Sequence, residues 1–188
     1  MDYALIAEAD LVARLQRGDN RAGEELYQRY RTGVERYCQC LIHNRESARD
    51  AAQDTFLTAV NKIQDLRNAV SFKAWLFSIA RNNCLMAARK SSRELLLEEA
   101  PDVWEEQTPL SSMVDGEIHQ LIRKAIDALR PIYREAVILR EFESLNYREI
   151  ADATHCSVAS VKFRLHKARQ ALAASLGKYL DEGETHDL

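Results

Sequence analysis

One pattern constrains this chain more than any other: apolar residues return every three or four positions in segment after segment, with few breaks. In "DNRAGEELYQRYRTGVERYCQCLIHN" the residues Leu26, Tyr30, Val34, Tyr37 and Leu41 share one helical face, and Asp19 stands where an N-cap belongs. In "RESARDAAQDTFLTAVNKI" Ala48, Ala52, Phe56, Ala59 and Ile63 do the same and are expected to pack inward. Six glycines and three prolines in 188 residues are too little turn chemistry for a sheet protein. The fold class expected is all-α.

The pattern continues beyond the break at "QDLRNAV". Ser71 is placed to cap "SFKAWLFSIARNNCLMAARK", whose Phe72, Trp75, Leu76, Ile79 and Met86 supply a buried stripe. Arg81, Arg89, Lys90 and Arg93 make the second half of that helix positive. A shorter helix is expected around Asp10 to Arg17. Further on, "IHQLIRKAIDALR" repeats apolar residues at Ile118, Leu121, Ile122, Ala125, Ile126 and Leu129. Pro131 suits the first turn of the next helix, where its missing N–H would be unpaired anyway.

Charge divides the chain. From Glu94 through Ile122 there are eight acidic residues and no Lys or Arg, so against a net charge of -3 the remainder carries +5. Pro101 and Pro109 fall in the same stretch, and proline with clustered acid reads as a linker. The expectation is two small helical domains, an N-terminal bundle over 1–93 and a second domain over 117–180. An acidic flexible linker, 94–116, joins them, and 181–188 forms a tail. A solvated loop inside one domain is the competing reading. No apolar run approaches the roughly 18 residues that span a bilayer, and "MDYALIAEADL" is not a signal peptide. A cytoplasmic protein without membrane insertion is expected, its four cysteines reduced.

The second domain carries a sharper signal. Asn146 and Glu149 fit a capping box opening the short helix "YREIADA"; the turn "THC" follows, and Ser157 caps a long last helix. Two helices joined by a tight turn, the second basic, form the arrangement of a helix-turn-helix DNA reader. Val158, Val161, Leu165 and Ala168 are spaced to lie against the preceding helix around Ile150 and Ala151. Lys162, Phe163, His166, Lys167 and Arg169 are left on the other side, with Arg164 on the flank. Lys and Arg there neutralise phosphates or reach guanine edges, and a Phe can rest on a thymine methyl.

With these pieces the chain resembles the extracytoplasmic-function (ECF) sigma factors of the bacterial sigma-70 family. The resemblance spans about residues 8–178. "SARDAAQDTF" is similar to the family's polymerase-binding motif, keeping Ala48, Asp50, Gln53, Thr55 and Phe56, with Asp54 for Glu and Arg49 where an acid is common. "FKAWLFSIARNNCLMAARK" is similar to the family's Trp-containing basic helix. "LRPIYREAVILREFESLNYREIADATHCSVASVKFRLHKAR" is similar to its helix-turn-helix region, with Arg130 inserted before Pro131.

The resemblance implies roles. Asp50, Gln53, Asp54 and Phe56 would bind core RNA polymerase at the coiled coil of its largest subunit. Asn68, Ser71, Phe72, Lys73, Trp75, Arg81, Arg89 and Lys90 would meet the −10 promoter element, Phe72 by stacking or as a pocket wall. Ser160, Lys162, Phe163, Arg164, His166, Lys167 and Arg169 would meet the −35 element. An anti-sigma factor, in this family often membrane-anchored, is a further partner that the resemblance implies.

Two rivals stand beside this. A helix-turn-helix regulator acting without stable polymerase binding explains residues 117–180 but leaves "SARDAAQDTF" unexplained. A metal-binding or redox protein would use Cys38, Cys40, His43, His155 and Cys156. On a helix, Cys38 and Cys40 point about 200° apart and do not readily share an ion. No Gly-rich phosphate loop or nucleophile–base pair is present in the sequence, so neither catalysis nor a metal or cofactor is expected.

Overall fold

The computed structural model describes residues 2–42, 44–66, 72–95 and 117–183, and their regular structure is helical throughout. Eight α-helices follow in order: α1 (Glu8–Gln16), α2 (Asn20–Leu41), α3 (Arg45–Lys62), α4 (Phe72–Leu95), α5 (Glu117–Asp127), α6 (Pro131–Val137), α7 (Tyr147–Thr154) and α8 (Val158–Gly183). The acidic stretch 96–116 lies outside the described residues, as do Asn68 and Ser71.

Local chemistry sets the helix starts. The Asp19 carboxylate accepts from the N–H groups of Arg21 and Ala22, and the Asn44 side chain accepts from Ser47. Asn146 and Glu149 form a complete capping box, and the Ser157 hydroxyl accepts from the Ser160 N–H. Each such cap satisfies a backbone donor that the helix cannot, a contribution of about 1 kcal/mol. Pro131 is the first residue of α6, where no N–H is required. Gly18, with φ +89°, closes α1 in the left-handed region that a side chain would strain.

Helices α2, α3 and α4 pack through Val34, Tyr37, Ala48, Ala52, Leu76, Phe77 and Ala80, all buried. Val137, Ile138, Leu139, Leu145, Ile150, Val161 and Leu165 fill the C-terminal half. These are not two separate cores. Helix α4 lies against α7 and α2 against α6, so the buried apolar residues, Ala125 and Ile126 of α5 apart, form one continuous cluster.

Two local readings need correction. Met86 is 66% exposed, not part of the α4 stripe. Met86 shares the face of the buried Phe72 and Ile79, but it stands beyond Cys84, after which no described side chain of α4 is buried, so the helix has run past its cover. Val158 is exposed as well. It opens α8 beside the turn and lines a shallow groove with Arg140, Asn146, Tyr147 and Arg148 instead of packing under α7. The helix that Pro131 opens stays helical but widens into a π-helical turn over Ile138–Phe142. Such widened turns often sit at functional positions.

Candidate functional site

Helices α7 and α8 are joined at His155, whose backbone is left-handed at φ 51°. That conformation is costly for a non-glycine residue and turns the chain sharply enough for α8 to cross α7. Val161, Leu165 and Ala168 are fully buried in the cluster that also holds Ile150 and Ala151, each larger side chain contributing about 1.5–3 kcal/mol by leaving water. The outer edge is the reverse. Lys162, Phe163, His166 and Lys167 are all exposed, Phe163 by 56%. The Lys167 ammonium sits 5.9 Å from the Phe163 ring centre, so charge and aromatic surface are side by side.

The remaining α8 residues diverge. Ser160 shares a 2.9 Å hydroxyl contact with Ser157 at the start of the helix. Arg169 is exposed and lies 3.6 Å from Glu141. Arg164 turns inward, its guanidinium 4.0 Å from the Glu135 carboxylate. It is therefore directed away from the edge formed by Lys162 and Lys167.

On α3, Asp50, Gln53 and Asp54 are exposed, and Phe56 is half-buried against the Tyr27 ring at 4.8 Å. Leu57, 64% exposed, continues the i, i+3, i+4, i+7 row begun by Asp50, Gln53 and Asp54. The sequence reading passed over Leu57. Its signal was an apolar residue off the inward face, three and four positions from two polar ones.

Helix α4 departs most from expectation. Phe72 is 3% exposed, between the rings of Tyr30 at 5.6 Å and Trp75 at 6.0 Å. It forms a wall of the interior rather than a stacking surface. Trp75 is half-buried and Arg89 exposed, while Lys90 belongs to α4 with its side chain outside the described set. Lys73 and Arg81 are occupied from within. The Lys73 ammonium donates to the Glu143 carbonyl, lies 3.7 Å from its carboxylate and sits 5.8 Å from the Tyr30 ring centre. Arg81 Nε donates to Glu135 Oε1 at 2.9 Å.

Nothing in the sequence singled out those two glutamates. Both are buried, Glu135 4% and Glu143 6% exposed. Glu135 also accepts from the Tyr37 hydroxyl at 2.8 Å, and Glu143 accepts from Arg36 at 3.4 Å. Arg134 beside them is buried too. Its guanidinium donates to the carbonyls of Cys40, Asp127 and Leu129, collecting acceptors from the end of α2 and the turn after α5. Burial, with the Glu135 charge and hydrogen bond, raises the Tyr37 pKa well above that of an ordinary phenol, so the hydroxyl stays a donor.

Among the described residues, no group of three or more His, Cys, Asp or Glu side chains is placed to hold a metal ion. Cys38 and Cys84 are buried, and Cys38 is held far above the usual thiol range by its hydrogen bond with Cys84 and by burial. Cys40 is pushed up to about 11, mainly by burial and then by the charge of Asp127. A thiolate is what binds metal or attacks disulfides, and neither site favours one. His43 lies outside the described residues.

Two helices locked across a tight turn, the second with an exposed cationic and aromatic edge, define a helix-turn-helix protein of the DNA-binding class. Comparison with known proteins narrows the class. Residues 26–94 match the model of Sigma-70 region 2, and residues 119–172 match that of Sigma-70, region 4. The RNA polymerase sigma-H factor of Pseudomonas aeruginosa is 30% identical over 186 residues, covering 93% of this chain and 96% of the relative. The ECF RNA polymerase sigma-E factor of Escherichia coli is 31% identical, covering 86% of this chain and 90% of the relative. Among solved structures, the sigma factor RpoE of Bartonella quintana, in complex with the anti-sigma factor NepR, superposes with a TM-score of 0.72 at 25% identity. It covers 82% of this chain and 96% of that one. CnrH, solved with the cytosolic domain of CnrY, shares the fold with a TM-score of 0.67 at 23% identity, over 92% of this chain and 99% of that one. The chain belongs to the ECF group of the sigma-70 family of transcription initiation factors. No helix among the described residues is long and apolar enough to cross a membrane.

Proposed function

We propose that residues 1–93 bind core RNA polymerase and the −10 element, that residues 117–180 read the −35 element, and that the acidic 94–116 segment joins them. The observation that carries the reading is the α3 row of Asp50, Gln53, Asp54 and Leu57, all exposed. A helix-turn-helix alone needs no such face. Carboxylates suit a basic partner and set register and on-rate, while an exposed leucine adds the apolar anchor that docking surfaces use. The basic partner is the coiled coil of the polymerase largest subunit.

On α8, Lys162, Phe163, His166 and Lys167 enter the major groove, and Ser160 and Arg169 meet flanking phosphates. On α4, Arg89 and Lys90, together with Lys73 and Arg81 once released, track the single strand, with Asn68, Ser71 and Trp75 near the captured base and Phe72 as the wall behind it. The factor acts in the cytoplasm. The solved RpoE bound to NepR supports regulation by an anti-sigma factor, and a membrane-anchored one fits the ECF group.

Asp50→Arg with Asp54→Arg tests the reading. Pull-down with core polymerase and run-off transcription should fall at least about tenfold, through repulsion where attraction stood. Duplex binding by the helix-turn-helix should persist. Unchanged core binding and transcription would remove α3 as the docking face and favour a regulator that acts without the core.

A further inference from the structure

The outward face of α8 is apolar at its centre. Its inner face is fixed by the buried Val161, Leu165 and Ala168. At about 100° per residue, the positions opposite the middle of that stripe are Phe163 and, two turns on, Gln170, both exposed. His166 and Lys167 stand about 50° to either side, and Lys162 roughly 90° round, at the edge of the face. Helical side chains lean toward the N-terminus, so the Phe163 ring lies over the turn that carries Ala159 and Ser160. That is the end of a recognition helix that meets base edges. The Lys167 ammonium is held beside the ring, 5.9 Å from its centre, and donates to Gln170 Oε1 at 3.3 Å.

We propose that Phe163 and Lys167 are adjacent specificity-determining residues, Phe163 selecting thymine by its 5-methyl group and Lys167 selecting guanine at the neighbouring pair. This selectivity rests on the assignment of α8 to the major groove of the −35 element. A phenyl ring offers no hydrogen bond. Pressed on the edge of guanine, adenine or cytosine, it strips water from polar groups and returns nothing. Thymine alone presents an apolar group in the major groove, its methyl. An ammonium only donates, and the edge that suits it best is guanine O6 with N7. Successive bases on a strand stand about 3.4 Å apart. An ammonium 5.9 Å from the ring centre therefore reaches the pair beside the one the ring covers.

Holoenzyme reconstituted from the full chain and core polymerase is used to recover preferred duplexes from a random-sequence pool. The recovered upstream block is rebuilt with deoxyuridine for each thymidine, which removes only the methyl, and with 7-deazaguanine for each guanine, which removes N7. At one position the parent should bind the deoxyuridine duplex about fourfold more weakly, the worth of one buried methyl. At the adjoining position 7-deazaguanine should weaken binding about tenfold. Phe163→Ala should abolish the first discrimination and Lys167→Ala the second, while Phe163→Leu, still apolar, keeps part of the first. Both residues are exposed, so circular dichroism should show unchanged helicity in every variant. A parent indifferent to deoxyuridine at every position, or a Phe163→Ala chain that discriminates as the parent does, would overturn the role of Phe163. Undiminished discrimination against 7-deazaguanine in Lys167→Ala would overturn that of Lys167. Binding indifferent to every upstream base change would remove α8 from the groove itself, and both roles with it.

Discussion

Helices α4 and α8 look alike as sequences: each is long, basic in part and striped with apolar residues. In the structure they differ in what their charges can reach. On α8 the buried stripe of Val161, Leu165 and Ala168 turns Lys162, His166 and Lys167 to the outside. On α4 the neighbouring α7 and the glutamates Glu135 and Glu143, at the seam between the two halves, enclose Lys73 and Arg81, leaving Arg89 exposed. Positive charge in a sequence therefore measures capacity, not availability. Availability is decided by which carboxylates the tertiary fold brings near.

The contrast can be broken most strongly on α8. Lys162→Ala with Lys167→Ala should weaken duplex promoter binding about 1000-fold, taking about 2 kcal/mol for each lost contact, while chemical stability stays unchanged. A gel-shift titration paired with urea unfolding reads both quantities; a large stability loss would mean these lysines belong to the fold. The inward and outward faces come next. Leu165→Ala should cost about 3 kcal/mol in urea unfolding by opening a core cavity, and Met86→Ala on the outside of α4 under about 0.5 kcal/mol. Equal costs would erase the distinction between the faces.

Arg81→Ala should cost about 2 kcal/mol, discounted for its partial exposure, because it leaves Glu135 with one partner fewer in a buried place. Stability equal to that of the parent would show the seam pair to be idle. The smallest effect belongs to Glu141→Gln, which removes the exposed partner of Arg169 and should change stability by less than about 0.5 kcal/mol. A larger value would mean that surface pairing on α8 matters more than its exposure allows.

Much of this was legible in the sequence because it is local. Asp19, Asn146 with Glu149, Pro131 and Ser157 act within a few residues of themselves, and all four take the positions their chemistry indicates. The α2 and α3 faces and the inward row of α8 from Val161 followed from period alone. Periodicity failed where a helix runs past its cover, as at Met86, or begins before it, as at Val158. The seam was out of reach for a different reason. Glu135 and Glu143 look like solvent-facing residues of an amphipathic helix, and their partners Tyr37 and Arg36 lie 98 and 107 positions away. No window a few turns wide can register such a pairing. The same distance hid the capture of Lys73 and Arg81, residues whose type suggested DNA.

The reach of Arg134 has a consequence for the order of assembly. Its bond to the Cys40 carbonyl spans 94 positions, and closing a loop of that size costs about 4 kcal/mol of chain entropy before any contact repays it. The helical hairpins on either side close over far shorter distances and so form sooner. During synthesis α1 to α4 emerge with their apolar faces able to pack, while the groups that finish the seam have yet to be made. The last event in folding is then the docking of one half on the other. Because that contact forms late, mutations at it mainly speed its loss and leave the preceding steps untouched.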